Sequence, residues 1–231
     1  MATPLARASR GKVNPVTPLF PRWTNNAFRV VLALVVLIPT AALTLGMLWV
    51  RSPFRTEQYQ PVVQPVQFDH RHHVEDVGID CRYCHQTVEK AASAGMPPAS
   101  VCMNCHSQVW NKSDKLQPVR MAYFNDTPIP WNRVNKLPDF VYFNHSIHIA
   151  KGVGCEVCHG RIDQMPEVEQ GQSLTMEFCL DCHRDPGPHL RPKDQITAMG
   201  WNAPEDPEIF GAKIAADYHV HTRTSCTTCH R

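Results

Sequence analysis

The longest apolar stretch of the chain runs from Val30 to Val50, VVLALVVLIPTAALTLGMLWV, and contains no charged residue. At 1.5 Å per residue a helix of this length spans about 31 Å, which matches the hydrocarbon core of a bilayer. Trp23 precedes the stretch and Trp49 lies near its end, and indole rings favour the membrane interface. The pattern predicts one transmembrane anchor helix over residues 30–50.

The segment before the anchor is basic. Residues 1–29 contain five arginine or lysine residues, no acidic residue and four prolines, which argue against a folded domain. Because positive charge marks the cytoplasmic side, we expect a cytoplasmic N-terminus, a single pass through the inner membrane and a periplasmic domain after Arg51. A cleaved signal peptide is the alternative, but its apolar region typically spans only about 7–15 residues. We therefore expect the segment to be retained.

After the anchor, the hydrophobic positions form only short runs, with no amphipathic period long enough for an extended helix. Prolines interrupt residues 51–67, 111–140 and 185–207, and proline both fixes the backbone and removes a hydrogen-bond donor. We expect a mostly irregular fold with short α-helices, few of them away from the motifs described next. The first of these segments is expected to be an extended, semi-rigid stalk.

All ten cysteines fall into five copies of the pattern C-x-x-C-H. Two thiols three positions apart can form thioethers to both vinyl groups of one haem, and the following histidine can reach the iron. CxxC pairs also serve zinc sites and thiol redox chemistry, but five complete copies favour covalent haem over zinc ribbons or a disulfide framework. The pattern predicts five haem c groups wrapped by short helices. The attachment residues are Cys81, Cys84, Cys102, Cys105, Cys155, Cys158, Cys179, Cys182, Cys226 and Cys229, and the proximal ligands are His85, His106, His159, His183 and His230.

The haem region contains an internal repeat. The stretch FDHRHHVEDVGIDCRYCH, beginning at Phe68, matches FNHSIHIAKGVGCEVCH, beginning at Phe143, in its aromatic residue, paired histidines, glycine and haem motif. One further motif follows each repeat, so each module carries two. The predicted organisation is a basic tail (1–29), an anchor helix (30–50), a proline-rich stalk (51–67), a first dihaem module (68–110), a linker (111–140), a second dihaem module (141–183) and a C-terminal extension with the fifth haem (184–231).

Histidines outside the motifs are candidates for the second axial position of each iron. His70 and His73 are three residues apart, as are His145 and His148, so each pair lies on one face of a short helix. The two pairs also stand at closely similar distances before a haem motif, 11 and 10 residues from the first histidine to the first cysteine. We therefore interpret all four as distal ligands, each pair serving two neighbouring irons.

The fifth distal ligand stays open at this point. His219 precedes the fifth motif by the spacing that separates His148 from the third motif. Met176, just before the fourth motif, is the rival, because a thioether is an axial ligand that raises the reduction potential. His72 has no counterpart in the second repeat and is not interpreted as a ligand. His189 is interpreted as a solvated loop residue.

The string F-x-H-x-x-H followed by C-x-x-C-H resembles the class III multihaem cytochromes of the cytochrome c3 and c7 kind. In that family the first histidine of the pair is the second axial ligand of the adjacent haem iron. The second histidine is the axial ligand of another haem. Carried over residue by residue, the resemblance pairs His70 with His85 and His145 with His159. It sends the second histidine of each pair to a different haem.

Residues 28–231 resemble, more narrowly, the pentahaem subunit of bacterial alternative complex III, a quinol-oxidising respiratory complex. The resemblance rests on the anchor, the two modules with a fifth motif, and the stretches AGMPPASVCMNCH, LTMEFCLDCHRDP and SCTTCHR. A methionine recurs before the fourth motif in that family, which favours Met176 over His219 or His221. The resemblance implies electrons that come from menaquinol through an iron–sulfur subunit, beside integral membrane subunits, and leave to a monohaem cytochrome or another periplasmic carrier.

Other function classes fit the sequence less well. A pentahaem nitrite reductase typically carries lysine in its catalytic motif, whereas all five motifs here end in histidine. A free-standing, membrane-anchored tetrahaem quinol dehydrogenase would also have one N-terminal helix, but the fifth motif and the repeat count against it. The formal net charge of +2, with no basic patch near the motifs, does not support nucleic-acid binding. We therefore expect an electron-transfer subunit without catalytic residues of its own.

Overall fold

The computed structural model describes residues 19–231, and its longest element is helix α1, Thr24–Arg51. It begins at Thr24 rather than Val30, because Pro21 O accepts a hydrogen bond from the backbone N–H of Thr24 and starts the helix there. The most apolar 18 residues of the helix have a mean hydropathy of 2.5, and it is, among the described residues, the one helix long and apolar enough to cross a membrane. The predicted N-terminal apolar helix is confirmed as a helix. Residues 1–18 of the predicted tail lie outside the described part of the chain.

Proline does not break α1. Pro39 lies inside it and has no N–H to donate, yet the helix continues to Arg51. On the turn around this proline, Thr40 donates its hydroxyl to the carbonyl of Val36 at 2.7 Å, and Thr44 donates to Thr40 at 2.9 Å. Hydroxyls bonded in this way are not left without a partner on an apolar helix.

The remainder of the described chain, Val50–Arg231, forms one compact unit of short helices and irregular segments. It contains no β-strand among the described residues and only isolated bridges between single residues. The prediction of a mostly irregular fold with short α-helices is therefore confirmed. The α-helices after α1 are α2 Pro53–Thr56, α3 Cys81–Cys84, α4 Ala99–His106, α5 Gln117–Phe124, α6 His145–Ala150, α7 Cys155–His159, α8 Met176–Arg184, α9 Pro207–Asp217 and α10 Cys226–Cys229. A π-helix covers Arg71–Asp76, and 3₁₀ turns cover Asp114–Leu116, Ile162–Gln164, Gly187–His189 and Lys193–Gln195.

Three of these helices lie away from the haem motifs, where few helices were expected: α2 and α5 lie in proline-rich segments, and α9 begins at the end of one. In each, proline occupies the first turn, where its missing N–H costs nothing. Asp206 caps α9 by accepting a hydrogen bond from the N–H of Glu208 at 2.9 Å. Helix α9 packs on the Gly187–His189 turn, and Gly211 permits this contact because a Cβ there would collide with the backbone of Gly187. His189 is thus half-buried in a turn and is not a solvated loop residue.

The segment expected to be an extended stalk, residues 51–67, packs against the rest of the compact unit Val50–Arg231, which is called the haem unit because it carries the five motifs. Gln170 is buried and donates its amide to the carbonyl of Thr56 at 3.0 Å, while its side-chain oxygen accepts the N–H of Lys136. Lys136 pairs with Glu57 at 2.6 Å. At the end of the segment, Val66 is buried in the core. Residues 51–67 are therefore part of the folded unit, and not a free spacer.

The protein core is small for a unit of this length. One cluster gathers around α4 and α5, and no large side chain among the described residues has less than 2 % of its surface exposed. Folded domains of comparable length normally enclose fully buried large side chains. The haem unit therefore needs apolar groups that its amino acids do not supply. The buried members of the cluster are Val66, Ala99, Leu116, Val119, Ala122 and Ile129.

Candidate haem-binding sites

Every C-x-x-C-H motif lies on a short helix, in α3, α4, α7, α8 and α10. Helical spacing puts the two cysteines of each motif on one face, as attachment to a single haem requires. Two of these helices begin at side-chain caps: Asp80 accepts a hydrogen bond from the N–H of Arg82, and Thr175 accepts one from Phe178. All ten thiols are free, so each is available for a thioether.

Each motif histidine has its ring nitrogen Nδ1 at hydrogen-bond distance from a polar group outside the motif. In four of them, ring nitrogen Nδ1 lies at hydrogen-bond distance from a backbone carbonyl outside the motif. This contact fixes the tautomer with the proton on Nδ1 and leaves Nε2 as the metal-binding nitrogen. Ligating histidines usually donate their other ring N–H in this way. The pairs are His85 with Gly95 at 2.8 Å, His106 with Val109 at 3.1 Å, His183 with Arg223 at 3.0 Å and His230 with Phe140 at 3.0 Å.

The remaining motif histidine, His159 of the third motif, is oriented by a side chain and not by a backbone carbonyl. The amide of Asn135 lies 3.1 Å from Nδ1 of His159, and its oxygen Oδ1 is buried without a partner. Exchanging the amide oxygen and nitrogen satisfies both groups, because Oδ1 then accepts the Nδ1 proton. Asn135 lies in the proline-rich segment between the modules and was not predicted from the sequence to take part in a site.

The distal candidates occupy equivalent positions in the two repeats. Phe68 stacks on His73 with ring centroids 4.2 Å apart and meets His70 edge-on at 4.7 Å. In the second repeat Phe143 stacks on His148 at 4.6 Å and meets the first histidine of its pair edge-on at 4.7 Å. The aromatic residue of the F-x-H-x-x-H string therefore separates the two imidazoles and fixes their directions.

Three distal candidates also have Nδ1 at hydrogen-bond distance from a backbone carbonyl, in the manner of the motif histidines. Nδ1 of His73 is 2.8 Å from Asp69 O, and Nδ1 of His148 is 2.7 Å from Asn144 O. The carbonyl of Ala92 accepts from both the backbone N–H and Nδ1 of His145. Because Ala92 belongs to the first predicted module, the two repeats are interlocked.

Distal and motif histidines lie in pairs, and the distance between their ring centroids suits one metal ion between them. A metal–imidazole bond is about 2 Å long and a ring nitrogen lies about 1 Å from the ring centre, so two imidazoles on opposite sides of one metal have centroids about 6 Å apart. The observed centroid separations are 6.1 Å for His73 and His106, 6.3 Å for His145 and His159, and 6.1 Å for His148 and His183. The residues present therefore fit haem iron with two axial histidines at the second, third and fourth motifs.

The buried imidazoles of these pairs are neutral at pH 7. Burial, and then the nearby His85, lowers the pKa of His70 to about 4. Burial is also the main cause that lowers the pKa of His159 to about 4. Burial lowers the pKa of His73 and His148 as well, although their hydrogen bonds to backbone carbonyls oppose it. A neutral imidazole keeps the lone pair that a metal needs.

His70 is the remaining member of the first pair, and among the neighbouring charged groups His85 of the first motif has the largest influence on its pKa. His159 of the third motif also lies within electrostatic range. Nδ1 of His70 is buried and has no hydrogen-bond partner among the described residues. His70 thus lacks the backbone anchor of the other distal candidates, and its pairing with His85 stays a prediction.

The fifth motif differs from the others. The ring next to His230 is that of Phe140, with centroids 5.7 Å apart, and no histidine faces it among the described residues. Met176 lies at the start of α8 and is 63 % exposed. His219 and His221 are also exposed, and the described part of the chain offers their rings no hydrogen bond. These candidates for the fifth distal position are not brought into an axial pair.

The first motif touches two others. Asn104 of the second motif donates to the hydroxyl of Tyr83 in the first at 2.9 Å. The Cys155 thiol is the main cause that lowers the pKa of Cys81, so the first motif lies beside the third. The first motif therefore lies between the second and the third, although sequence order would place it at one end.

The remaining motifs follow in sequence order. Burial, and then the neighbouring thiols Cys182 and Cys179, raises the pKa of Cys158 to about 12, which places the third motif beside the fourth. Burial, and then Cys229, raises the pKa of Cys179, which places the fourth beside the fifth. The motifs thus form a row in the order second, first, third, fourth, fifth.

Sequence reasoning missed the groups that orient the imidazoles. Most are backbone carbonyls, and any residue type supplies a carbonyl, so the sequence carries no signal for them. Asn135 and Ala92 lie far along the chain from the histidines they hold. His72, set aside because it breaks the repeat, is exposed and has its ring 3.2 Å from the carboxylate of Asp76.

Two comparisons with known proteins bear on these sites. The family described as cytochrome c7 and related cytochrome c matches the chain over residues 66–121 and 141–231, which include all five motifs. A protein of Nitratidesulfovibrio vulgaris (strain Hildenborough), described as menaquinone reductase, multiheme cytochrome c subunit, is 30 % identical over 128 residues. The match covers 55 % of this chain and 54 % of that protein, so the chain spans about half the length of the relative.

Proposed function

Because the chain belongs to the family of cytochrome c7 and related c-type cytochromes, a family of multihaem electron carriers, we propose that it is a membrane-anchored conduit with five covalent haem c groups. The observation that carries the proposal is the set of facing histidine pairs at the second, third and fourth motifs, each with a separation that suits one iron. Closing both axial faces leaves no position for a substrate and favours electron transfer over catalysis.

Bound haem c supplies an iron that gains and loses one electron without bonds being made or broken at its ligands. The residues of this chain would hold the axial imidazoles in fixed positions. Carbonyl groups and Asn135 hold the imidazoles in one tautomer, and Phe68 and Phe143 fix the angle between paired distal histidines. We propose His70 with His85 as the axial pair of the first motif, which completes four of the five sites.

The row of motifs gives the proposed conduit two ends. The second motif, on α4, forms one end, and the fifth, on α10, forms the other. A donor and an acceptor would therefore engage different parts of the surface. We propose that the modules 68–110 and 141–183 act together as one row, because Ala92 of the first holds His145 of the second.

The proposed setting is the periplasmic face of the inner membrane. Helix α1 would be the single-pass anchor, and the basic residues before it favour a cytoplasmic N-terminus. We propose that the chain is the pentahaem subunit of an alternative complex III, which receives electrons from menaquinol through an iron–sulfur subunit and integral membrane subunits. A monohaem cytochrome or another periplasmic carrier would be the acceptor. The support is the resemblance of residues 28–231 to that subunit and the matched family.

The name of the bacterial relative favours a second candidate, in which electrons run the other way. That relative is described as a subunit of a menaquinone reductase. The same row of sites could deliver electrons from a periplasmic donor toward menaquinone, since closed haems impose no direction. Reduction potentials of the partners would then decide the direction.

An experiment on membranes separates the two directions. Anaerobic membranes containing the full chain should show reduced c-type haem absorbance after addition of a reduced menaquinone analogue, and added oxidised monohaem cytochrome c should reverse it. Membranes lacking the chain are the control. If only reduced cytochrome c reduces the haems, and oxidised menaquinone analogue then re-oxidises them, the second candidate is correct. If neither partner changes the spectrum, the chain is not a quinone-linked conduit.

The fifth distal ligand can be assigned with two single variants. We expect Met176→Leu to remove the weak near-infrared band of an iron–methionine bond and to perturb one of five haems, because we propose Met176 as that ligand. His219→Ala should leave the visible and near-infrared spectra unchanged. The reverse result would assign His219, and no change in either variant would direct attention to His221.

A further inference from the structure

A loop outside all five motifs contacts the first and third motifs at once. Residues 190–200 follow the second predicted module and contain no haem-binding residue. The carbonyl of Ile196 accepts a hydrogen bond from the N–H of Cys155 at 3.0 Å, on the third motif. Its neighbour Thr197 donates its hydroxyl to Oδ2 of Asp80 at 2.8 Å, on the first motif.

The third motif is also held by a buried arginine from this loop. Arg191 is 4 % exposed and pairs with Glu156, the residue after the first cysteine of the motif, at 2.8 Å. The other oxygen of Glu156 accepts the N–H of Gly200 at 2.6 Å. Nη1 of Arg191 donates to Ala198 O at 3.0 Å, and Nε is buried without a partner.

Gly154 makes room for this arginine. It is buried immediately before Cys155, and a Cβ at this position would collide with the Arg191 guanidinium. In the first repeat the equivalent position holds Asp80, which forms a two-pronged ion pair with Arg82. Both motifs therefore have an arginine–carboxylate pair at the start of their helix, but in the third motif the arginine comes from the distant loop.

We propose that residues 190–200 are a clamp that fixes the spacing between the first and third haem sites, with Arg191 and Thr197 as its positioning residues. The two motifs it joins are neighbours in the proposed row, and their first cysteines influence each other's pKa. The inference rests on the proposed function, because it assumes haem at both sites. The rate of electron transfer between two sites falls steeply with distance. A loosened clamp would therefore slow electron transfer between the first and third haem sites.

The test compares Arg191→Leu and Thr197→Val with Arg184→Leu in the full-length haem-loaded protein. Arg184 also pairs with a carboxylate of a haem motif, Asp181, at 3.1 Å, but that pair is exposed. Haem content and the low-spin spectrum are measured first, since five low-spin haems in each variant show that the proposed sites are intact. Hydrogen exchange of the peptides 78–85 and 152–160, and the magnetic interaction between neighbouring ferric haems, are then measured.

We expect Arg191→Leu to speed exchange in both peptides and to weaken the magnetic interaction, because an unpaired Glu156 would be left buried. Thr197→Val should do the same to a smaller extent, mainly in the peptide 78–85. Arg184→Leu should behave like the wild type. A wild-type magnetic interaction in both clamp variants would overturn the proposal, even if exchange rises near residue 191.

A rescue variant separates positioning from general stability. Adding Gly154→Asp and Glu156→Arg to Arg191→Leu copies the Asp80–Arg82 pair of the first motif into the third. This triple variant should recover the slow exchange of the peptide 152–160 but not that of 78–85, because the link through the loop stays loose. Recovery of both would show that the loop does not join the motifs. If Arg191→Leu does not incorporate five haems, the test rests on Thr197→Val alone. A weaker magnetic interaction in that variant supports the clamp, and a wild-type interaction overturns it.

Discussion

The chain produced without haem attachment should not fold its unit from Val50 to Arg231. No large side chain among the described residues is fully buried, and the main apolar cluster is confined to the surroundings of α4 and α5. Ordering each residue costs about 1–2 kcal/mol, which burial at about 25 cal/mol per Å² must offset. Without haem, the apolar surface available for burial is too small to do so. We expect rapid proteolysis of this unit and no cooperative thermal transition.

The matched control removes one haem from an end of the row. Cys226→Ala with Cys229→Ala deletes attachment at the fifth motif, whose helix α10 lies at the end of the chain. This variant should retain protease resistance of residues 50–220. A cooperative transition in haem-free protein would contradict the account, because the amino acids alone would then suffice for the fold.

Replacement of His145 by alanine should open one haem to external ligands. His145 faces His159 with parallel rings and a centroid separation of 6.3 Å, so its loss would leave one axial position vacant. We expect about one fifth of the ferric haem to become high-spin and the reduced protein to bind one carbon monoxide per chain. Spectra and a carbon monoxide titration measure both effects.

Two further variants give this prediction its controls. His72→Ala should bind no carbon monoxide, because His72 is exposed and interacts with Asp76 instead of a motif histidine. His145→Met should restore a low-spin haem with a higher reduction potential, because a thioether is an axial ligand that favours ferrous iron. If His145→Ala stays fully low-spin, another group closes the third site and the proposed pairing is wrong.

The sequence was informative where chemistry depends on residue type and local spacing. Five C-x-x-C-H motifs, two F-x-H-x-x-H strings and one uncharged stretch can be read directly, because a helix or a turn places such residues together. The pairing of His145 with its own motif stays a prediction, and the 6.3 Å between the ring centroids of His145 and His159 is compatible with it. Local pattern thus identified candidate side chains for the sites.

The sequence was uninformative about long-range contacts. The docking of the stalk depends on Gln170, more than a hundred positions away from Thr56, and a proline-rich composition suggested a free spacer instead. The order of the motifs in space is not their order along the chain, because the first motif has both the second and the third as neighbours. Helix α9 begins at Pro207, at the end of a proline-rich segment. Proline is compatible with the first turn of a helix, so its presence did not exclude a helix there.

The central claim, that the chain conducts electrons through five closed haems, is tested most directly by spin counting on the full-length protein. Electron paramagnetic resonance of the fully oxidised protein and haem content measured after denaturation should use the same sample. The account predicts five covalent haems per chain, all low-spin ferric, and no carbon monoxide binding after reduction. A high-spin signal near one spin per chain, or stoichiometric carbon monoxide binding by the unmodified protein, would contradict it.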